Sequence, residues 1–130
     1  MEMHPRSGLP KPTRLALGAA AESAARRHLE GHGFSLIAAN YRCRRGEIDL
    51  VMRQGATLAF IEVRLRSHRD FGGAAGSVGR TKQQKIIASA QAFLQHHPEF
   101  SGCNCRFDVI AVQADAGEWK VDWLPAAFTT

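Results

Sequence analysis

The amino-acid sequence predicts an α/β fold: one mixed five-stranded sheet with helices packed on it, in the order α, β, β, β, α, β, β. Two segments place apolar residues at helical spacing, five alternate with a period of two, and glycine- or proline-containing breaks separate them. At 130 residues the chain forms one domain, long enough to bury a core without disulfides or a structural metal.

Residues 1–13 contain three prolines and little hydrophobic content, and are expected to be a disordered leader to a single domain over 14–130. A helix is predicted from about Arg14 to His32. Along it Gly18, Glu22, Ala25 and Leu29 fall at i, i+4, i+7 and i+11, on one stripe that is otherwise small or apolar. A core-facing carboxylate is costly unless paired or coordinated, which makes Glu22 a candidate acid; the alternative places it at the stripe's edge, reaching solvent or an arginine.

Phe34 to Tyr41 reads as the first strand, and Asn40 to Arg45 as the connection into the second. Glu47, Asp49 and Val51 then alternate with Ile48, Leu50 and Met52, and Phe60, Glu62 and Arg64 alternate with Ile61, Val63 and Leu65. These are two strands of a hairpin that turns near Gly55. The midpoint of positions 49 and 62 is 55.5, so the turn sets Asp49 and Glu62 opposite or diagonal, with backbones about 5 Å apart. Two carboxylates that close do not stay ionised together unless a cation sits between them.

Arg66 to Arg80 is rich in glycine and serine, lacks periodicity and reads as a mobile loop, basic at both ends; the spacing of a phosphate-cradling P-loop is absent. Thr81 and Gln84 suggest a capping box opening a second helix, whose buried face is Ile86, Ala90, Phe93, Leu94 and His97, and which Pro98 ends. Lys82 and Lys85 lie in its first turns, where cations oppose the helix dipole; a phosphate contact explains them, as does simple solvation. Arg106 to Val112 and Glu118 to Leu124 complete the sheet, joined through Ala114 to Gly117.

The formal net charge is +5, and it is unevenly placed. Residues 42–85 carry ten Lys or Arg against four acids, a net +6, which leaves −1 for the remainder. A basic excess flanking paired acids favours a polyanionic partner over a membrane surface, since no basic amphipathic helix with bulky apolar anchors is present. No apolar run reaches the length of a membrane helix; the Ala-rich stretch from Leu15 to Ala21 runs into charged residues and reads as helix, not signal peptide. Three cysteines, without paired zinc spacing, point to reduced thiols in the cytoplasm. His28 and His32 are spaced for a shared zinc, but no third ligand is evident, and the histidines read as surface residues. Asp108 reads as a partner of Arg106 or as the cap of a sheet edge.

Gly18 to Glu22, Asn40-Tyr-Arg, Arg45-Gly-Glu-Ile-Asp-Leu50, Phe60-Ile-Glu-Val-Arg64, Lys82 to Lys85 and Arg106-Phe-Asp-Val109 occur in the order found in the YraN-type family of uncharacterised bacterial proteins, which the chain resembles from Gly18 onward. That family is similar to the PD-(D/E)xK nucleases, especially archaeal Holliday-junction resolvases. The resemblance implies a restriction-endonuclease-like core and hydrolysis of DNA phosphodiesters with Mg2+ (or Mn2+). It matches Asp49 to the metal-binding aspartate, Glu62 to the second acid, Arg64 to the basic position after it and Glu22 to the helix acid; in the favoured reading Asp49 and Glu62 hold the metal with the carbonyl of Val63, and Glu22 contributes directly or through water. The family pattern has lysine where this chain has Arg64. A guanidinium clamps a phosphate oxygen but stays protonated and does not act as a general base, so Lys82 and Lys85 become candidates for a substitute ammonium. Ala21 likewise stands where the family often has glycine.

The sequence therefore leads to a magnesium-dependent endonuclease that recognises DNA structure more than DNA sequence. Arg42, Arg44, Arg45, Arg66, Arg69, Arg80, Lys82 and Lys85 contact backbone phosphates in this reading, and a homodimer suits a cut in both strands. Two alternatives remain: a nucleic-acid-binding protein that kept the fold and lost the chemistry, supported by Arg64, and a protein-interaction module whose basic face meets an acidic partner.

Overall fold

A computed structural model describes residues 13–66 and 78–130. The expected leader therefore lies outside the described residues, apart from Thr13, as does most of the expected mobile loop with Arg69. Helix α1 spans Arg14–Glu30, and strands β1 (Ser35–Cys43), β2 (Gly46–Gln54) and β3 (Thr57–Leu65) follow as an antiparallel meander. Helix α2 (Arg80–His96) and a 3-10 turn at Pro98–Phe100 lead to β4 (Asn104–Asp115), parallel to β3, and β5 (Glu118–Phe128) closes the sheet antiparallel to β4. The strand order is β1-β2-β3-β4-β5, the mixed α/β architecture expected from the hydrophobic periodicities.

Thr13 starts α1 by accepting the Ala16 N–H at 3.0 Å through its side chain. The buried face is Ala21, Ala24, Ala25 and Leu29, three alanines that let the helix lie close on the sheet. The expected stripe is thus turned slightly: Ala25 and Leu29 are inside, while Gly18 and Glu22 sit half-buried at its margin. The capping box at Thr81 and Gln84 is not formed. Helix α2 is capped two residues earlier, by Gly79 with no side-chain cap bond, and Gln83 instead donates its amide to the Val78 carbonyl at 2.8 Å. Ile86, Ala90 and Phe93 are buried as expected, together with Ser89; Leu94 and His97 are only half-buried.

The two helices cover opposite faces of the sheet. One core gathers Ile86, Ala90 and Phe93 of α2 against Val51, Phe60, Val109 and Ala111; the other sets Ala25 and Leu29 of α1 on Leu50, Ile61 and Ile110. Strands β2 to β4 feed both cores by alternation, as central strands covered on two faces must.

β4 and β5 run longer than the sequence suggested. They are joined by Ala116 and Gly117, both left-handed at φ 51° and 83°, the conformation a tight two-residue hairpin demands. β5 continues past Pro125 because it is an edge strand, where a missing N–H costs no ladder bond. The β4–β5 register shifts beside Asp108, which is wholly buried. Its carboxylate accepts two bonds from Arg106, at 2.9 Å each, one from the Trp123 indole at 2.9 Å and one from the Ala126 N–H at 3.0 Å. Asp108 is a structural stitch with Arg106 as its partner. Among the described residues, no helix is long and apolar enough to cross a membrane.

Candidate functional site

The β2–β3 ladder pairs Gln54 with Thr57, Arg53 with Leu58, and so on to Leu50 with Ile61. Gly55 makes the turn, left-handed at φ 58°. Continued by one step, this register sets Asp49 opposite Glu62, the juxtaposition that the hairpin midpoint required. The ladder is replaced there by a side chain: Asp49 Oδ2 accepts the Val63 N–H at 2.8 Å. In an extended strand the N–H and C=O of one residue face the same neighbour, so the Val63 carbonyl is also turned toward the Asp49 side.

Asp49 and Glu62 are close enough for each to shift the titration of the other. Glu62 is 9% exposed. Burial, then the Asp49 charge, pushes its pKa up to about 7, although the Lys82 ammonium opposes the rise. Burial also raises Asp49, against the stabilising Val63 N–H. Lys82 Nζ lies 3.4 Å from Glu62 Oε2. Of the two candidate lysines, it is Lys82 that α2 carries to the acids.

Regular alternation fails at Asp49. Ile48 and Leu50, two residues apart, should share a face, yet Ile48 packs in the α2 core and Leu50 in the α1 core. Opposite this switch stands Asn40, left-handed at φ 54°. Asp49 consequently meets both sides of the sheet, with Glu62 and Lys82 toward α2 and Glu22 toward α1. The pKa of Glu22 is raised by burial and by the nearby Asp49 charge, with the Asn40 amide opposing the rise. It lines a hollow of about 210 Å³ with Asn40, Ala39 and Leu50. Glu22 therefore adds negative potential to the pair without joining it: among the described residues, no three His, Cys, Asp or Glu side chains converge at metal-ligand spacing.

The expected phosphate contacts divide. Arg42, Arg44, Arg45 and Lys85 line one open basic concavity around the β1–β2 turn. That turn is held against α2 at Gly46, where a Cβ would stand 3.1 Å from Ser89 Oγ, and at Cys43, whose sulfur lies 3.5 Å from the same oxygen. Arg42 leans on Glu47 at 3.7 Å, with 75% of its side chain exposed. Arg80 is exposed at the start of α2, whereas Arg66 is turned to Asp122 of β5, 3.7 Å away, and is less available. Arg64 follows Glu62 on the α2 face of β3 and pairs neither acid among the described residues. His32 is exposed as expected and His28 half-buried; their rings lie 4.7 Å apart and edge onto Trp123. A cavity of about 400 Å³ between α2 and the end of β5 is lined by Phe60, Ile87, Leu94, Phe107 and Phe128, and its arginine, Arg106, is committed to Asp108.

Two facing carboxyls, Glu62 buried and Asp49 half-buried, beside the Val63 carbonyl form a hard-oxygen donor set that suits a divalent cation, and magnesium needs few protein ligands because it keeps its waters. Sequence reasoning missed Asn40 and Ser89. Asparagine tolerates the left-handed region better than other residues with side chains, so an Asn at a strand end was the available signal for the first. Nothing in the sequence pointed to Ser89 as the seat of the arginine turn.

Residues 21–112 match the profile of the uncharacterised protein family UPF0102. A UPF0102 protein of Methylobacillus flagellatus is 53% identical over 113 residues, covering 87% of this chain and 96% of that one. A UPF0102 protein of Pseudomonas fluorescens is 50% identical over 112 residues, covering 85% and 91%.

Proposed function

The chain belongs to the uncharacterised protein family UPF0102, and from its acidic pair we propose that it is a divalent-metal-dependent endonuclease acting on DNA phosphodiesters. One observation carries the reading: Asp49 and Glu62 face each other at the end of a hairpin, Glu62 buried and Asp49 half-buried, with a basic surface beside them. Burying two acids together is unfavourable in itself, and fold stability gives no reason to do so. The α-βββ-α-ββ sheet is compatible with a restriction-endonuclease-like core.

Asp49, Glu62 and the Val63 carbonyl would hold Mg2+ or Mn2+. Such an ion polarises a phosphate and lowers the pKa of an attacking water. The protein's own residues do the rest. The Val63 N–H fixes Asp49, and Glu22 deepens the negative potential that draws a cation in. Arg64 and Lys82 face the charge that develops on the phosphate oxygens. The arginine turn and Lys85 hold the flanking backbone without reading bases.

The test is cleavage of duplex, flap and four-way DNA with Mg2+ or Mn2+ by the native chain, Asp49→Ala and Arg64→Lys. Asp49→Ala is expected to lose at least ~100-fold in rate while retaining DNA, and Arg64→Lys to cut as fast or faster. Retention of DNA with no cutting by any of the three supports the reading that Arg64 favours, a binding protein of the same fold. No retention at moderate salt points instead to a protein-interaction module.

A further inference from the structure

Lys82 stands in the first turn of α2, where positive charge opposes the helix dipole, so helix stability does not account for it. Its Nζ is 3.4 Å from Glu62 Oε2, and its side chain is 53% exposed against 11% for Glu62. The acid is fixed in the wall of the site while the ammonium ends a flexible stem. Both acids feel that ammonium. Lys85, one turn further, faces the arginine turn, and Arg66 is engaged with Asp122.

A divalent cation between Asp49 and Glu62 would place two positive charges where Lys82 now supplies one. The two cations repel at that distance, and the carboxylates favour the ion of higher charge. Lys82 then loses its partner, but its reach still covers the mouth of the site. The anion available there, if the site takes nucleic acid, is a backbone phosphate.

We propose that Lys82 is an exchangeable counter-ion: it neutralises the Asp49–Glu62 pair until a divalent cation binds, and then passes to a phosphate of the nucleic acid. This rests on the nuclease reading but concerns binding, not cutting. Its consequence is reciprocal coupling. Cation occupancy frees an ammonium for the polyanion, and the polyanion, by holding that ammonium, favours occupancy by the cation.

The full chain and Lys82→Met are compared at about pH 9, above the pKa of Glu62, so that proton competition does not mask the effect. Calorimetric titration with Ca2+, a hard cation with the same oxygen preference, gives metal affinity; retention of a short DNA duplex with and without Ca2+ gives the coupling. Lys82→Met is expected to bind Ca2+ ~3- to 10-fold more tightly, and its Ca2+-dependent gain in DNA affinity to be at least ~3-fold smaller than that of the native chain. Lys120→Met, which removes a charge paired with Asp115 at 3.0 Å near the β4–β5 turn, is expected to change neither quantity. Ca2+ affinity unchanged or weaker in Lys82→Met, while Asp49→Ala abolishes it, overturns the exchange and leaves the metal site standing. Ca2+ binding that Asp49→Ala does not alter overturns the metal site, and the exchange with it.

Discussion

Glu62 and Asp108 are both buried acids, yet they differ in what surrounds them. Asp108 receives four hydrogen bonds from positioned donors, and Arg106, two residues earlier on the same strand, made that partnership legible in the sequence. Glu62 faces another acid, and burial with the Asp49 charge raises its pKa. Its folded pKa of about 7 lies above the ordinary 4.5, so the native state binds a proton that the unfolded chain releases between those values. The contribution of Glu62 to metal-free stability is therefore fully present below about pH 4.5 and is lost as the pH rises through about 7, by up to ~3 kcal/mol. Urea unfolding across that range should show the slope. Glu62→Gln should remove most of it, leave the protein more stable than the native chain by ~1–3 kcal/mol at pH 8, and abolish stabilisation by divalent cations. A native chain whose stability is flat over this interval would contradict the raised pKa of Glu62.

At the scale of elements, the hairpin register was legible because glycine marks the turn and alternation is strict on both strands from Leu50 to Ile61. The end of the hairpin was not. Period-two alternation treats β2 as regular through Asp49, whereas the strand changes face there, opposite a left-handed Asn40 that no periodicity reveals. The helix stripe left Glu22 undecided between core and edge for a related reason: three alanines pack inside, and small residues give weak periodicity beside a glutamate at the margin. The face change can be tested directly. Asn40→Val forces a β-branched residue into the left-handed region and should cost ~1–2 kcal/mol in urea unfolding, with weaker cation binding. Asn40→Gly keeps that backbone accessible and should cost less.

For the molecule as a whole, charge placement says more than net charge. The sequence showed a basic excess over residues 42–85; folding sorts it, gathering Arg42, Arg44, Arg45 and Lys85 around one concavity and turning Arg66 toward Asp122. That sorting depends on tertiary contacts between β1–β2 and α2, so no run of sequence displays it. If those four and Arg80 each hold one phosphate, the logarithm of DNA affinity should fall with the logarithm of salt at a slope of about −4 to −5. Removing Arg44 and Arg45 together should flatten it by about 2, with little change among DNA sequences. A slope near zero would leave the basic face without a polyanion.

The seat of the arginine turn on Ser89 has one more implication. The helix that brings Lys82 to the acids is the same body against which Gly46 and Cys43 rest, so residues 80–96 hold two parts of the machinery in a fixed mutual offset. Transplanting that segment from a relative should move substrate grip and ion preference as a unit, and a small molecule wedged beneath it would disable both with one displacement.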